Sequence, residues 1–108
     1  MRKIPIQNVA AQTFNVQIPE EEKAFTFTIT YIARGEYFVC SIETSENEIL
    51  SGLKLVSGIP LLKAFNITQG DFIVINSAEY TGDPVLGSWD NLTELFYITP
   101  EELELLNV

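Results

Sequence analysis

The sequence predicts a mostly β fold: a small single-domain barrel or sandwich of about six to seven short antiparallel strands with a short C-terminal helix. Apolar and polar residues alternate with a period of two in several segments, which is typical of half-buried strands. Turn residues separate these segments about every 8–12 residues. With 108 residues and 46% hydrophobic content, the chain is long enough to bury one core without disulfides or metals.

The strongest strand signal lies in residues 25–31, where aromatic and aliphatic residues alternate with threonines. Residues 37–43 predict the return strand of a hairpin, with Phe38, Cys40 and Ile42 on one face. We expect Cys40 to be a buried, unreactive thiol. Further strands are predicted at residues 14–18, 49–56, 72–75 and 94–98, with another short strand after Leu61 and Leu62.

The two ends of the chain carry different signals. Residues 1–11 predict an extended arm, because Pro5 favours extended backbone and the arm has few ways to pack locally. Residues 12–98 would form the barrel or sandwich, and the whole chain, residues 1–108, a single β domain.

A short helix is predicted at residues 100–106. Thr99 can cap it, Pro100 suits the first helical position, and Glu102 would complete a capping box. Three leucines are expected to dock the helix on the body of the protein: Leu103, Leu105 and Leu106.

The charge of the chain excludes some classes of partner. Six basic residues stand against 15 acidic ones, for a formal net charge of −9. Nucleic-acid binding depends on clustered Lys and Arg, and anionic membranes repel an acidic surface, so we expect neither partner. No stretch of 18 apolar residues or signal peptide is apparent. This charge is compatible with a basic protein partner. It is also compatible with the simpler interpretation that the acidic residues only keep the protein soluble.

The side chains that catalysis usually needs are missing from the sequence. The chain has no histidine and one cysteine, which excludes Cys–His and Ser–His–Asp catalysis and the usual zinc sites. Two of Asp83, Asp90 and Glu94 could in principle form a glycosidase pair, or the three could bind calcium, but we expect them to be solvated loop charges. We therefore expect no enzyme and no cofactor.

Two further features allow more than one interpretation. Trp89 lies in a turn-rich segment, where it could pack over the end of the barrel, stack on a sugar or anchor a protein interface. The acidic run at residues 20–22 is either a solvated hairpin tip or a contact for a basic socket on a partner.

Several short motifs follow one another along the chain in a specific order. They are Ile4–Asn8 followed by Gln12-Thr13-Phe14, Ser51-Gly52-Leu53 through Gly58–Leu62, Gly70–Val74, Asp83-Pro84, Leu95-Phe96-Tyr97 and Thr99–Glu102. Their order and spacing resemble the small baseplate plug proteins of contractile-tailed bacteriophages. The resemblance covers nearly the whole chain, with the Trp89 loop as a departure.

The resemblance implies a structural subunit that plugs or lines the central hub at the end of the tail tube. It implies contacts with the hub and neighbouring tail proteins, symmetric copies, assembly in the host cytoplasm and a place in the virion, and it brings no catalytic residues. We hypothesise that the segment Ile4–Asn8 of the arm adds as a strand to a neighbour's sheet edge. The expected interface residues are Ile4, Pro5, Ile6, Gln7, Asn8 and Trp89.

Two alternatives remain open at this point. One is a carbohydrate-binding or adhesin-like β module that uses the Trp89 loop. The other is a small acidic accessory protein that binds a basic target.

Overall fold

Two antiparallel β-sheets make up the fold in a computed structural model that describes residues 1–46, 49–62 and 68–106. The strands in these residues are β1 (Arg2–Ile4), β2 (Ala11–Ile18), β3 (Lys23–Ile32), β4 (Tyr37–Thr44), β5 (Ile49–Lys54), β6 (Asp71–Asn76) and β7 (Thr93–Ile98), followed by helix α1 (Pro100–Leu106). One sheet has the order β2-β3-β4-β5 and the other β1-β7-β6.

The predicted fold class is confirmed. The described strands are short and antiparallel, and one short helix ends the described chain. The prediction left a barrel and a sandwich open. The sheets do not close into a barrel; the structure has two separate sheets that share one core.

The predicted hairpin is formed by β3 and β4. Its alternation places Phe25, Phe27 and Ile29 of β3 in the core, while the intervening threonines lie on the outer side. On β4, the predicted apolar face is also buried, and burial raises the pKa of the Cys40 thiol to about 12. The period of two therefore decided which side of this hairpin faces the core.

Phe72 on β6 joins the two sheets. Its ring meets those of Phe25 and Phe27 edge-on, with centroids 5.3 and 5.0 Å apart, and that of Tyr97 on β7 at 5.4 Å. Edge-to-face contacts of this kind stabilise a core beyond the apolar area that they bury. The aromatic residues thus fix the spacing between the sheets.

The N-terminal arm packs more closely than its sequence suggests. Arg2–Ile4 forms β1, which pairs with β7 so that Arg2 faces Tyr97 and Ile4 faces Leu95. Ile4 is 2% exposed. The partner strand lies about 90 residues further along the chain, so a local pattern carries no signal for it.

The capping box of α1 is confirmed. The Thr99 N–H donates to Glu102 Oε1 at 3.0 Å, and the Glu102 N–H donates to Thr99 Oγ1 at 3.3 Å. The docking prediction is wrong for Leu105, whose side chain is 75% exposed. Leu103 is half-buried, and the side chain of Leu106 lies outside the described residues.

The segment between β5 and β6 departs from the expected strands. β5 ends at Lys54, and Gly52 adopts a φ of 71°, which disfavours residues with a side chain. The short strand expected after Leu62 falls mainly on residues 63–67, outside the described chain. In the described parts, no helix has the length and apolar character needed to cross a membrane.

Candidate interaction surface

The N-terminal arm is held to the body of the protein along its length. The N-terminal ammonium of Met1 lies 2.6 Å from Glu102 Oε2. This contact and the hydrogen bond from Thr99 lower the pKa of Glu102. Gln7 and Gln12 exchange two hydrogen bonds: the Gln7 N–H donates to Gln12 Oε1 at 3.1 Å and Gln12 Nε2 donates to the Gln7 carbonyl at 2.8 Å. The arm is therefore an ordered strap.

Lys3 pins the arm to the loop before β7. Its ammonium contacts Asp90 and lies 3.2 Å from Glu94 Oε2. The hydrogen bond to Asp90, followed by that to Glu94, raises the pKa of Lys3. Two of the three loop carboxylates considered for catalysis or calcium thus serve as partners of one lysine.

The third loop carboxylate has a different role. Asp83 Oδ1 accepts a hydrogen bond from the Ser57 N–H at 3.0 Å, on the side of β6. Within the described residues, no group of three or more His, Cys, Asp or Glu side chains is placed to hold a metal ion. The structure therefore does not bring Asp83, Asp90 and Glu94 together as one site.

Asn8 and Trp89 form a reciprocal clamp. Asn8 Nδ2 donates to the Trp89 carbonyl and the Trp89 N–H donates to Asn8 Oδ1, both at 2.9 Å. The Trp89 ring is 1% exposed and lies 5.7 Å from that of Phe38 on β4. Of the three interpretations of Trp89, the structure supports packing over the end of the sheets, because a buried ring cannot stack on a sugar.

The six residues expected at an interface divide into two groups. Ile4 and Trp89 belong to the core, whereas Pro5, Gln7 and Asn8 are exposed and Ile6 is half-buried. Pro5 and Ile6 line a cleft of about 270 Å³ together with Lys3 and Asp90. We call Pro5, Ile6, Gln7 and this cleft the arm surface.

Glu21, in the acidic run, connects the two sheets. It lies in a 3₁₀ turn, Pro19–Glu21, between β2 and β3. Its carboxylate accepts hydrogen bonds from the Gln69 N–H at 2.9 Å, the Gly70 N–H at 2.7 Å and the Tyr97 hydroxyl at 2.6 Å. Burial, followed by this hydrogen bond to Glu21, raises the pKa of Tyr97. Glu21 is therefore a structural acceptor, which the sequence did not indicate.

Gly70 is required by this close approach. A Cβ at this position would overlap the Ile98 carbonyl and the Tyr97 hydroxyl.

Next to Gly70, the side chain of Asp71 is 1% exposed. Its Oδ1 accepts hydrogen bonds from the Leu62 N–H at 2.8 Å and the Phe72 N–H at 2.6 Å. Asp71 Oδ2 has no hydrogen-bond partner among the described residues. Burial raises the pKa of Asp71. The burial of Asp71 was not predicted from the sequence.

The basic residues are mostly engaged within the chain. Arg2 pairs with Glu20 at 3.1 Å, Lys23 with Glu46 at 3.5 Å, and the Lys54 ammonium lies 5.0 Å from the centre of the Tyr37 ring. Exposed acidic side chains without an ion pair among the described residues are Glu22, Glu36, Glu43, Glu79, Asp83, Glu101 and Glu104. The outward field of the protein is therefore acidic.

Comparison with known proteins identifies a family. A search of the curated proteins finds no match. A scan against family models matches residues 1–100 to the family described as "Cyanophage baseplate Pam3 plug gp18". The match runs from β1 to the start of α1 and includes the arm, the Asn8–Trp89 clamp and Glu21. Because it covers nearly the whole chain, this protein belongs to the family of cyanophage baseplate plug proteins.

Proposed function

We propose that this chain is a non-catalytic structural subunit of a phage tail baseplate, which plugs or lines the central hub at the end of the tail tube. The family match over residues 1–100 carries the proposal. It also supports a place in the virion and association with other baseplate proteins. Assembly in the host cytoplasm is a further part of the proposal.

The geometry of the chain suits such a role. A plug needs a body that keeps its shape under load, and here the two sheets are joined by an aromatic cluster around Phe72 and by the Glu21 carboxylate. The arm is tied down at Met1, Lys3 and Asn8. An ordered surface of this kind costs little conformational entropy when it binds a neighbour.

Within this proposal, the arm surface contacts the hub or a neighbouring tail protein. Pro5 and Gln7 are exposed on an arm that is bonded to the body of the protein at Met1 and Asn8, and the cleft beside Pro5 offers a recess for a partner's side chain. Ile4, Asn8 and Trp89 would act indirectly, because they hold the strap in place. β1 already occupies a sheet edge of its own chain, so strand donation by Ile4 to a neighbour is not part of the proposal.

The acidic field favours a basic surface on the partner. Complementary charges mainly increase the rate and the specificity of association, and salt screens them. The carbohydrate-binding alternative lacks a comparable observation, since the Trp89 ring on which it depended is 1% exposed.

The proposal is tested by incorporation into baseplates. Deleting residues 1–8 would remove Ile4 from the core, so a surface variant is better suited. In Pro5→Arg/Gln7→Arg, two exposed side chains become large and cationic while the buried residues are unchanged. Phage tails assembled with this variant are purified, and the amount of the chain per tail is measured by quantitative mass spectrometry. We expect a loss of roughly tenfold or more, which corresponds to about 1.4 kcal/mol.

A matched control carries two arginines elsewhere, at the exposed positions Ala78 and Thr81. Ala78→Arg/Thr81→Arg should incorporate like the unmodified chain, and both variants should melt within a few degrees of it. Normal incorporation of Pro5→Arg/Gln7→Arg would show that the arm surface makes no contact. Absence of the unmodified chain from purified tails would reject the baseplate role itself.

A further inference from the structure

The four-stranded sheet ends in β2, and among the described residues no strand or backbone hydrogen bond from another segment covers its outer edge. β2 pairs with β3 in register over its eight residues, Ala11–Ile18, without a bulge. It contains no charged residue and no proline. Proteins usually guard an exposed edge with such residues, with a bulge or with a covering segment, because an open edge pairs readily with another strand.

The other sheet edges in the described residues are guarded. β5 has a register shift against β4 and a positive φ at Gly52. β1 is three residues long and carries Arg2 and Lys3. β6 is covered by the preceding segment, in which the Gly58 N–H donates to the Val74 carbonyl at 2.8 Å. β2 is therefore the long, regular and uncharged edge of the described strands.

The backbone groups available at this edge follow from the pairing of β2 with β3. The Tyr31 N–H donates to the Ala10 carbonyl at 2.7 Å, and hydrogen-bonded pairs alternate along an antiparallel ladder. The even-numbered residues of β2 therefore bond to β3, and the odd-numbered ones direct both N–H and C=O away from it. These outward residues are Ala11, Thr13, Asn15 and Gln17, all exposed.

The side chains at the edge are also incompletely covered. Phe14 stacks on Phe27 of β3 with 5.4 Å between ring centroids, yet it remains half-buried, as does Val16. A strand added beside β2 would cover the open sides of both residues. On the outer face, Thr13 already hydrogen-bonds Thr28 at 3.3 Å across the sheet, and a new strand would extend this polar row.

We propose that β2 pairs antiparallel with β2 of a second copy of this chain, so that the two four-stranded sheets become one continuous sheet. The two-fold axis passes beside Phe14, which then faces the second copy's Phe14. This register keeps each side chain on its own face of the sheet. It sets Thr13 opposite the second copy's Asn15 and Ala11 opposite its Gln17, so that every outward backbone group of β2 finds a partner.

Pairing of the two β2 strands also avoids repulsion between the negative charges of the two copies. Each copy carries a formal charge of −9, but β2 contributes none of it. In the proposed register, Glu20 falls opposite the second copy's Asn8, and the acidic turns of the two copies lie at opposite ends of the paired strands. The neutral, self-complementary edge thus favours a second copy over a basic strand of another protein, which would find no acidic residue on β2.

The first test is the mass of the purified chain in solution. Sedimentation equilibrium over a range of concentrations should show a reversible approach to twice the monomer mass of 12.1 kDa. A chain that stays monomeric throughout overturns the proposal.

Two double variants then test the register. Thr13→Lys/Asn15→Lys places like charges opposite each other at both pairs, whereas Thr13→Glu/Asn15→Lys places opposite charges there. Both variants lose the same hydrogen bonds to β3, so the second is a matched control for the first. We expect the dimer dissociation constant to rise about tenfold or more in the first and to stay within a few-fold of the original in the second.

Trp89 fluorescence reports whether each variant is folded, because the ring is 1% exposed in the folded chain. Equal dissociation constants for the two folded variants would show that β2 does not pair in this register and would overturn the proposal. This result would leave the baseplate role untouched, since that role is measured by incorporation into tails.

Discussion

The two sheets are fastened at opposite ends of β3 by different chemistry. At the Lys23 end, the Glu21 carboxylate gathers donors from Gln69, Gly70 and Tyr97; we call this the carboxylate closure. At the Tyr31 end, Asn8 exchanges two hydrogen bonds with the backbone of Trp89; we call this the amide closure.

The difference between the closures concerns charge. One carboxylate can accept several hydrogen bonds at once, and bonds to a charged acceptor are stronger than neutral ones. An amide both donates and accepts, so it can bind one backbone segment in two directions without charge. The carboxylate closure therefore binds groups from two segments of the chain at once, whereas the amide closure binds one loop to the arm before β2 and positions its aromatic ring.

The largest effect is expected at the carboxylate closure. Glu21→Ala leaves two backbone N–H groups and the Tyr97 hydroxyl without their acceptor. We expect the free energy of unfolding to fall by about 2–3 kcal/mol, measured by urea denaturation. Glu20→Ala is the control, because its exposed ion pair with Arg2 should contribute about 1 kcal/mol or less. Equal losses in the two variants would contradict a joining role for Glu21.

A smaller effect is expected at the amide closure. Asn8→Ala removes two neutral hydrogen bonds, so the free energy of unfolding should fall by about 1–2 kcal/mol. The emission of Trp89 should shift to longer wavelength in the folded variant as water reaches the loop. Gln7→Ala, an exposed neighbour, should change stability by less than about 0.5 kcal/mol. An unchanged emission spectrum and stability in Asn8→Ala would show that the clamp does not position Trp89.

The smallest effect is a dependence on pH, which we expect from Asp71, the residue next to the carboxylate closure. The pKa of the buried Asp71, beside Gly70, is raised from 3.8, so the folded protein holds this proton more tightly than the unfolded chain. Its stabilising contribution is complete below about pH 4 and is lost as the pH rises through the folded pKa. The stability of Asp71→Asn relative to the unmodified chain should therefore increase from pH 4 to pH 7.

The amide closure supplies the control for this measurement. Asn8 does not titrate, so the loss of stability in Asn8→Ala should be the same at pH 4 and pH 7. A constant difference for Asp71→Asn over the same range would show that the burial of Asp71 does not couple folding to protons.

Much of the fold was predictable where the signal is local. Alternation in β3 and β4 gave the correct buried face, and Thr99 with Glu102 gave the correct helix start, because both patterns depend on residues within a few positions of each other. Leu105 shows the limit of this reasoning. A leucine in a short helix is buried only if another element lies against it.

The candidate surface was predictable only in part. The arm was identified from its composition, but the roles of its residues were not, since Ile4 and Asn8 find their partners in β7 and the Trp89 loop. Glu21 lay in a run of three acidic residues that sequence alone does not distinguish. Its role depends on Gly70 and Tyr97, which are distant in the chain.

The sequence by itself determined that this protein is a small acidic β fold with a capped terminal helix, because composition, periodicity and capping act over short distances along the chain. The tertiary structure decided which edges are covered, which polar residues join the sheets and that the single tryptophan is buried. These outcomes depend on contacts between residues far apart in the chain, and on the cost of leaving a buried polar group without a partner.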